Sequence, residues 1–256
     1  MTNNELLSII LAAITALVSG VVGSFALMRK MALAGDALSH VALPGIGVAL
    51  IYSLNPAIGG GLALLVGAIL IWKIERVTNL NTEAIIGVLF AVSLAAGGLL
   101  IESEHELEEA LFGGVATVTV NEFIAGVAVA VLSLWFLLRN RHALVLSLIS
   151  KDLAKTAGVK TETQQLYFLL IFSITVILGL KFLGVLLMGS LIIIPAATAR
   201  NVTQTLSGML ATASCTALIA VLGGFAARAL VETALGPSII SIAGLMFFIS
   251  LLARRA

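Results

Sequence analysis

The sequence predicts an all-α integral membrane protein, a polytopic bundle of about nine transmembrane helices with one short cytoplasmic helix. Three observations carry that prediction. Of 256 residues, 60% are hydrophobic and 11% charged, whereas ordinary soluble domains are about a quarter charged. The apolar residues gather into runs close to the ~20 residues a helix needs to cross hydrocarbon. When those runs are threaded alternately through a bilayer, the basic residues fall almost entirely on one side.

Nine runs meet the length criterion, near 6–28, 36–54, 57–73, 83–101, 121–138, 165–181, 183–199, 204–226 and 237–253. Together they make 1–256 a single membrane domain. The first follows Thr2, Asn3, Asn4 and Glu5 with no basic lead, and is long for a signal-peptide core, so it reads as an uncleaved helix. With the N-terminus outside, Arg29, Lys30, Lys73, Arg76, Arg139, Arg141, Lys151, Lys155, Lys160, Arg200, Arg254 and Arg255 all face the cytoplasm. Lys181 and Arg228 alone fall outside, which satisfies the positive-inside rule and puts the C-terminus in the cytoplasm.

Small residues recur at helical spacing. Ala12, Ala16, Gly20 and Ser24 line one face of the first run; Gly208, Thr212, Thr216, Ala220 and Gly224 line one face of the eighth. Such stripes let helices approach closely where lipid supplies no hydrophobic drive for association. There is no evident internal duplication of the kind many secondary carriers show.

Several functions are excluded or disfavoured. A net charge of +1 argues against a nucleic-acid partner held by overall charge. Cys215, the single cysteine, rules out an internal disulfide or a multi-thiolate metal site and reads as a packing residue. No GxxxxGK[ST] run is present to bind nucleotide phosphates, and no HExxH for a zincin-type protease. The chain reads as a non-enzyme, and no permanently bound cofactor is expected.

The chemistry concentrates in "RKMALAGDALSHVALPGIG", Arg29 to Gly47. Asp36 and His40, at i and i+4, share a helix face with Cβ atoms about 6 Å apart. Counted at 1.5 Å per residue from Arg29 and Lys30, His40 lies roughly one-third of the way across. Ionisable groups at that depth usually face the bundle interior or a watery cavity. A carboxylate and a neutral imidazole suit zinc, manganese or ferrous iron. The spacing is equally met if Asp36 caps the helix after Gly35 and His40 bonds a backbone carbonyl. Two donors do not close a site; other side chains, water or a second protomer would complete it. An incomplete site suits an ion that must also leave. Pro44 is expected to kink or break this helix. Gly45 and Gly47 follow it, and Pro195 makes the same argument for the seventh run.

"RKMALAGDALSHVALPGIG", "KFLGVLLMGSLIIIPAATAR" (181–200) and "GPS" (236–238) occur in the order, and over the length, that resembles a known family. It is the permease subunit of the ABC-type zinc/manganese/iron importers, often called ABC-3, and the likeness is greatest to its zinc-uptake permeases. The resemblance implies a C2 homodimer in a bacterial plasma (inner) membrane, a separate cytoplasmic ATP-binding subunit and an extracytoplasmic metal-binding protein. It implies that Asp36 and His40 lie in the path of a transported Zn2+, Mn2+ or Fe2+, with Pro44, Gly45, Gly47 and Pro195 shaping that path. "SKDLAKTAG" (150–158) resembles the coupling segment that docks on the ATPase, at Asp152, Ala154 and Gly158. Read on its own, Ser150 caps a short helix, Asp152 suits its N-terminal end and Gly158 stops it. "LFGG" (111–114) resembles a further family element; the acidic run before it, Glu102 to Glu109 around His105, could gather cations or is a solvated face. His142 reads as a solvated polar residue. An ATP-independent carrier driven by protons or sodium, and an importer of a larger metal chelate, remain as other readings.

Overall fold

A backbone in lipid must satisfy its hydrogen bonds internally, and each apolar run does so as a helix. The computed structural model describes residues 3–31, 34–78, 80–101, 103–112, 118–231 and 233–253, and among them there are helices and no strand. Thr2, Ala32, Leu33, Glu102, Gly113, Gly114, Arg254 and Arg255 lie outside the described residues. In chain order the helices are α1 (Asn3–Met28), α2 (Ala34–His40), α3 (Ala42–Ile51), α4 (Pro56–Val77), α5 (Thr82–Leu100) and α6 (Glu104–Phe112). They continue with α7 (Val120–Arg139), α8 (Arg141–Ile149), α9 (Lys151–Thr156), α10 (Thr161–Val202), α11 (Leu206–Val231) and α12 (Leu235–Ala253).

Among the described residues, 8 helical segments are long and apolar enough to cross a membrane, two of them being the halves of α10. They match the expected runs except the second. That run is the broken pair α2 and α3, a shorter apolar piece over Gly35–Ile51. The loop chemistry that starts the long helices is readable in the sequence. Asn55 accepts a hydrogen bond from the Ala57 backbone N–H at 2.9 Å, with Pro56 opening α4. Thr119 and Glu122 form a capping box at the start of α7.

α10 carries two spans because Gly184 takes φ 68° and ψ −177°, a region open essentially to glycine alone. Thr161, at one end of α10, lines the same cavity as Arg29. Ala199, near the other end, packs with Leu27 and Met28. Both ends of α10 therefore lie beside the end of α1, and the chain reverses at Gly184. The break expected at Pro195 is not where the backbone departs from helix: Gly184 is the position with non-helical φ/ψ inside α10.

The helix ends sort onto two faces. At one, Arg29, Lys30, Glu75, Ser147, Thr161 and Gln165 surround one cavity. At the other, the Ser8 hydroxyl accepts from the Val118 N–H at 3.1 Å, Gly47 meets Leu100, and Gly236 meets Leu187 and Phe112. The alternation used for the charge count is thus built into the bundle. The core centres on α1, α10 and α11. Ala12, Ala16 and Ser24 are buried, and a Cβ on Gly20 would stand 2.5 Å from the Ser214 backbone nitrogen. The small-residue face of α1 therefore seats α11. Several buried hydroxyls are satisfied within their own helix, as where Thr15 donates to the Leu11 carbonyl and Ser24 to that of Gly20, both at 2.8 Å, while Ser173 of α10 donates across to the Leu64 carbonyl of α4 at 3.2 Å.

Candidate metal site

Pro44 lacks an N–H and its ring crowds the carbonyl four residues back, that of His40. The helix accordingly ends at His40 and restarts at Ala42, with Val41 between them donating to the Leu38 carbonyl at 3.1 Å. Pro44 itself sits in the first turn of α3, where a missing N–H costs nothing. The break falls before the proline, and His40 is the last residue ahead of it.

The imidazole of His40 is 5% exposed. Its Nδ1–H donates to the Asp36 backbone carbonyl oxygen at 2.9 Å. A carbonyl only accepts, so in the neutral ring the proton is on Nδ1 and Nε2 keeps a free lone pair. The carbonyl contact and a metal-ligand role are therefore compatible, because they use different nitrogens. Phe90 of α5 stands edge-on to the ring at 5.0 Å between centroids. The Asp36 carboxylate lies in the first turn of α2 rather than at its cap. Its Oδ1 is 4.0 Å from Nδ1, and its side chain is 53% exposed in the protomer. One donor is walled in and oriented; the other is open.

Depth differs from the sequence count. Phe90 is the ninth of the 19 residues of α5, and Val41 presses on Gly67, the twelfth of the 22 residues of α4. His40 thus stands about midway along its neighbours, not one-third. The count assumed helical rise from Lys30, but Lys30 turns at φ 58° and α2 starts only at Ala34.

Close packing holds the broken pair. Gly189 of α10 lies so near α2 that a Cβ there would be 2.5 Å from the Asp36 Cα. A Cβ on Gly45 would collide with the Gly59 carbonyl oxygen, and one on Gly59 with that of Gly45. Gly45 and Gly47, just past the break, lie within α3 and serve as flat contacts for α4 and α5. The hydroxyl of Ser39 is buried and donates to the Gly35 carbonyl at 2.7 Å. Among the described residues no third His, Cys, Asp or Glu joins Asp36 and His40.

At the Arg29 end a cavity of about 630 Å³ opens between α1, α4, α5, α8 and α10, lined by Arg29, Lys30, Glu75, Asn81, Glu83 and Gln165 among others. Arg29, just past α1, lies 4.6 Å above the Phe168 ring. Burial lowers its pKa to about 10 against the opposing pull of Glu75; it stays a cation at neutral pH. Beside this cavity α9 forms as expected. The Ser150 hydroxyl accepts from the Leu153 N–H at 3.2 Å. Gly158 turns at φ 79°, and the Val159 N–H reaches the Ala154 carbonyl at 2.8 Å. Asp152 and Gly158 are exposed, but Ala154 is fully buried. Leu153, which the sequence did not single out, is the large apolar side chain that α9 leaves uncovered, 57% exposed.

At the far end, α6 is amphipathic. Leu107, Ala110 and Leu111 pack on the core, while Glu104, His105, Glu106 and Glu108 face out. His142 is likewise exposed. Cys215 is exposed too, on α11, rather than packed inside.

A family model described as the ABC 3 transport family matches residues 2–254. The high-affinity zinc uptake system membrane protein ZnuB of Haemophilus influenzae is 30% identical over 247 residues, 94% of each chain. The manganese transport system membrane protein MntC of Listeria monocytogenes is 27% identical over 248 residues, 96% of this chain and 89% of that one. Among solved structures, PsaBC from Streptococcus pneumoniae in complex with Fab superposes with a TM-score of 0.83 at 27% identity. That match covers 98% of this chain and 91% of the other.

Proposed function

The chain belongs to the ABC 3 transport family, and from that premise we propose how it handles its cargo. It is a multi-pass permease subunit of an ATP-driven importer and not an enzyme; the ATPase is a separate subunit. The cargo we assign is a divalent cation, zinc ahead of manganese or iron. The likeness to a zinc permease at 30% identity over 94% of both chains supports that order, as does the donor chemistry.

The observation that carries the reading is His40 at mid-depth, with Nδ1 spent on a backbone carbonyl and Nε2 left as a donor, and with the open Asp36 carboxylate one helical turn back, 4.0 Å from Nδ1. A closed zinc site uses four protein ligands. Two ligands hold the dehydrated ion weakly enough to release it. A second copy about a two-fold axis would bring a matching pair, and a C2 homodimer offers two α9 helices to two ATPases. Asp152, Leu153 and Gly158 are the docking surface; Ala154 braces α9 from beneath. The Arg29 end faces the cytoplasm, by the positive-inside rule. The N-terminus is then outside, and the metal-binding protein delivers at the α6 end. The membrane is the bacterial inner membrane.

Vesicles holding the permease and its ATPase, given zinc, manganese or ferrous iron with and without a binding protein, test this reading. ATP-dependent zinc uptake that fails in His40→Ala, while the ATPase still co-purifies, is the expected result. Undiminished uptake in both His40→Ala and Asp36→Ala removes the ligand assignment. Leu153→Asp is expected to lose the ATPase on purification, and its retention removes the docking assignment.

A further inference from the structure

Polar residues at the cytoplasmic ends of membrane helices usually read as solvated, but those of α4 and α10 interlock. The Trp72 indole N–H donates to the Glu162 backbone carbonyl at 2.9 Å. Arg76 Nε lies 3.0 Å from Glu162 Oε2, and its guanidinium carbon stands 4.7 Å over the Trp72 ring. One turn further along α10, the Gln165 amide donates to the Glu75 carboxylate. Trp72, Glu75 and Arg76 are spaced i, i+3, i+4 and so share a face of α4; Glu162 and Gln165 are spaced i, i+3 on α10. Two helix ends distant in sequence are therefore gripped at three points.

The grip has a clear neighbour on each side. Upstream of α10, Val159 and Lys160 alone separate Gly158, the stop of α9, from Thr161. The Val159 N–H is itself bonded back to the Ala154 carbonyl, so little slack is left to absorb a displacement of α9. On the other side, α4 meets α3 backbone to backbone at Gly45 and Gly59, and meets Val41 at Gly67. The segment that ends α2, with His40, thus rides on α4.

We propose that Trp72, Arg76 and Glu162, seconded by Glu75 and Gln165, are positioning residues that carry movement of α9 through the start of α10 to α4, and so to the segment bearing Asp36 and His40. The inference rests on the docking of α9 proposed above. Stability is not the purpose of the ion pair: Arg76 and Glu162 are about half exposed, and exposed pairs stabilise little. Its value lies in geometry, since the indole N–H fixes the α10 backbone and the guanidinium fixes the indole. Packed contacts of this kind carry coupling when both ends are biased between two arrangements.

The test uses the permease–ATPase complex in vesicles and reads zinc ions imported per ATP hydrolysed. Arg76→Glu and Glu162→Arg are each expected to lower that ratio about tenfold while the ATPase co-purifies. The double exchange, which restores the opposite charges, is expected to regain at least half of it. Trp72→Phe, which removes the N–H and keeps the ring, is expected to lower the ratio about threefold. Unchanged ratios in the single exchanges would overturn the proposal, and so would a double exchange as poor as the worse single. Failure of α9 docking is distinguishable, because it shows as retention of the ATPase by Leu153→Asp and leaves the ratios of the clamp variants as a separate result.

Discussion

Two of the helix interruptions among the described residues, after His40 and at Gly184, serve opposite ends. At Gly184 the backbone itself is unusual: a positive φ reverses the chain between two full spans. After His40 the backbone is nearly helical, with Val41 at φ −62° and ψ −17°. What changes is the hydrogen bonding, because Pro44 cannot donate to the His40 carbonyl. The Gly184 break makes topology, and the other makes a place where an imidazole ends a short helix at mid-depth with a carboxylate one turn before it. A break that must turn the chain needs glycine; a break that must present a side chain is better made by a downstream proline, which leaves the presented residue free to be chosen.

Variants can sharpen or break that contrast. The largest expected effect is at the presenting break: His40→Ala or Asp36→Asn should lower zinc uptake by about a hundredfold, with unfolding temperature nearly unchanged in Asp36→Asn and lowered in His40→Ala, which empties a buried site. Next, Pro44→Ala allows residue 44 to donate to the His40 carbonyl and join α2 to α3. Uptake should fall about tenfold as His40 is re-aimed, since small misplacements at a reacting centre are costly. At the turning break, Gly184→Ala should cost about 1–3 kcal/mol of stability, read as a lower unfolding temperature in detergent, while uptake per folded molecule changes less than about twofold. The smallest effect on uptake is expected of Pro195→Ala, because the helix already runs through it; its unfolding temperature in detergent reads the balance between the regained N–H and the lost buried ring. Loss of uptake without loss of stability in Gly184→Ala would erase the distinction between the two breaks.

Much of the fold was legible because lipid leaves so few options. Apolar runs became helices, small-residue faces became contacts, and basic residues marked one set of ends. The donor pair was legible too, from spacing and the proline beyond it. Its depth was not, since the count from Lys30 could not register a left-handed turn there. Nor was the burial of Ala154 or the exposure of Leu153. Six residues of helix have two faces, and packing against α8 and α10 chooses between them. The grip between α4 and α10 was invisible for a different reason. Trp72 and Glu162 lie 90 positions apart, and each alone looks like an ordinary interfacial residue.

Gly35–Ile51 rises only about 26 Å at helical pitch, short of the ~30 Å thickness of hydrocarbon it must cross. Longer neighbours such as α1 and α11, with 26 residues each, can lean over in a thin bilayer, whereas this piece has no spare length to tilt. Welded to α4 through Gly45 and Gly59, it will follow whatever inclination that helix adopts. Acyl-chain length thereby becomes a hidden setting of the transporter, and lipids of differing thickness should retune its turnover without touching a single ligand.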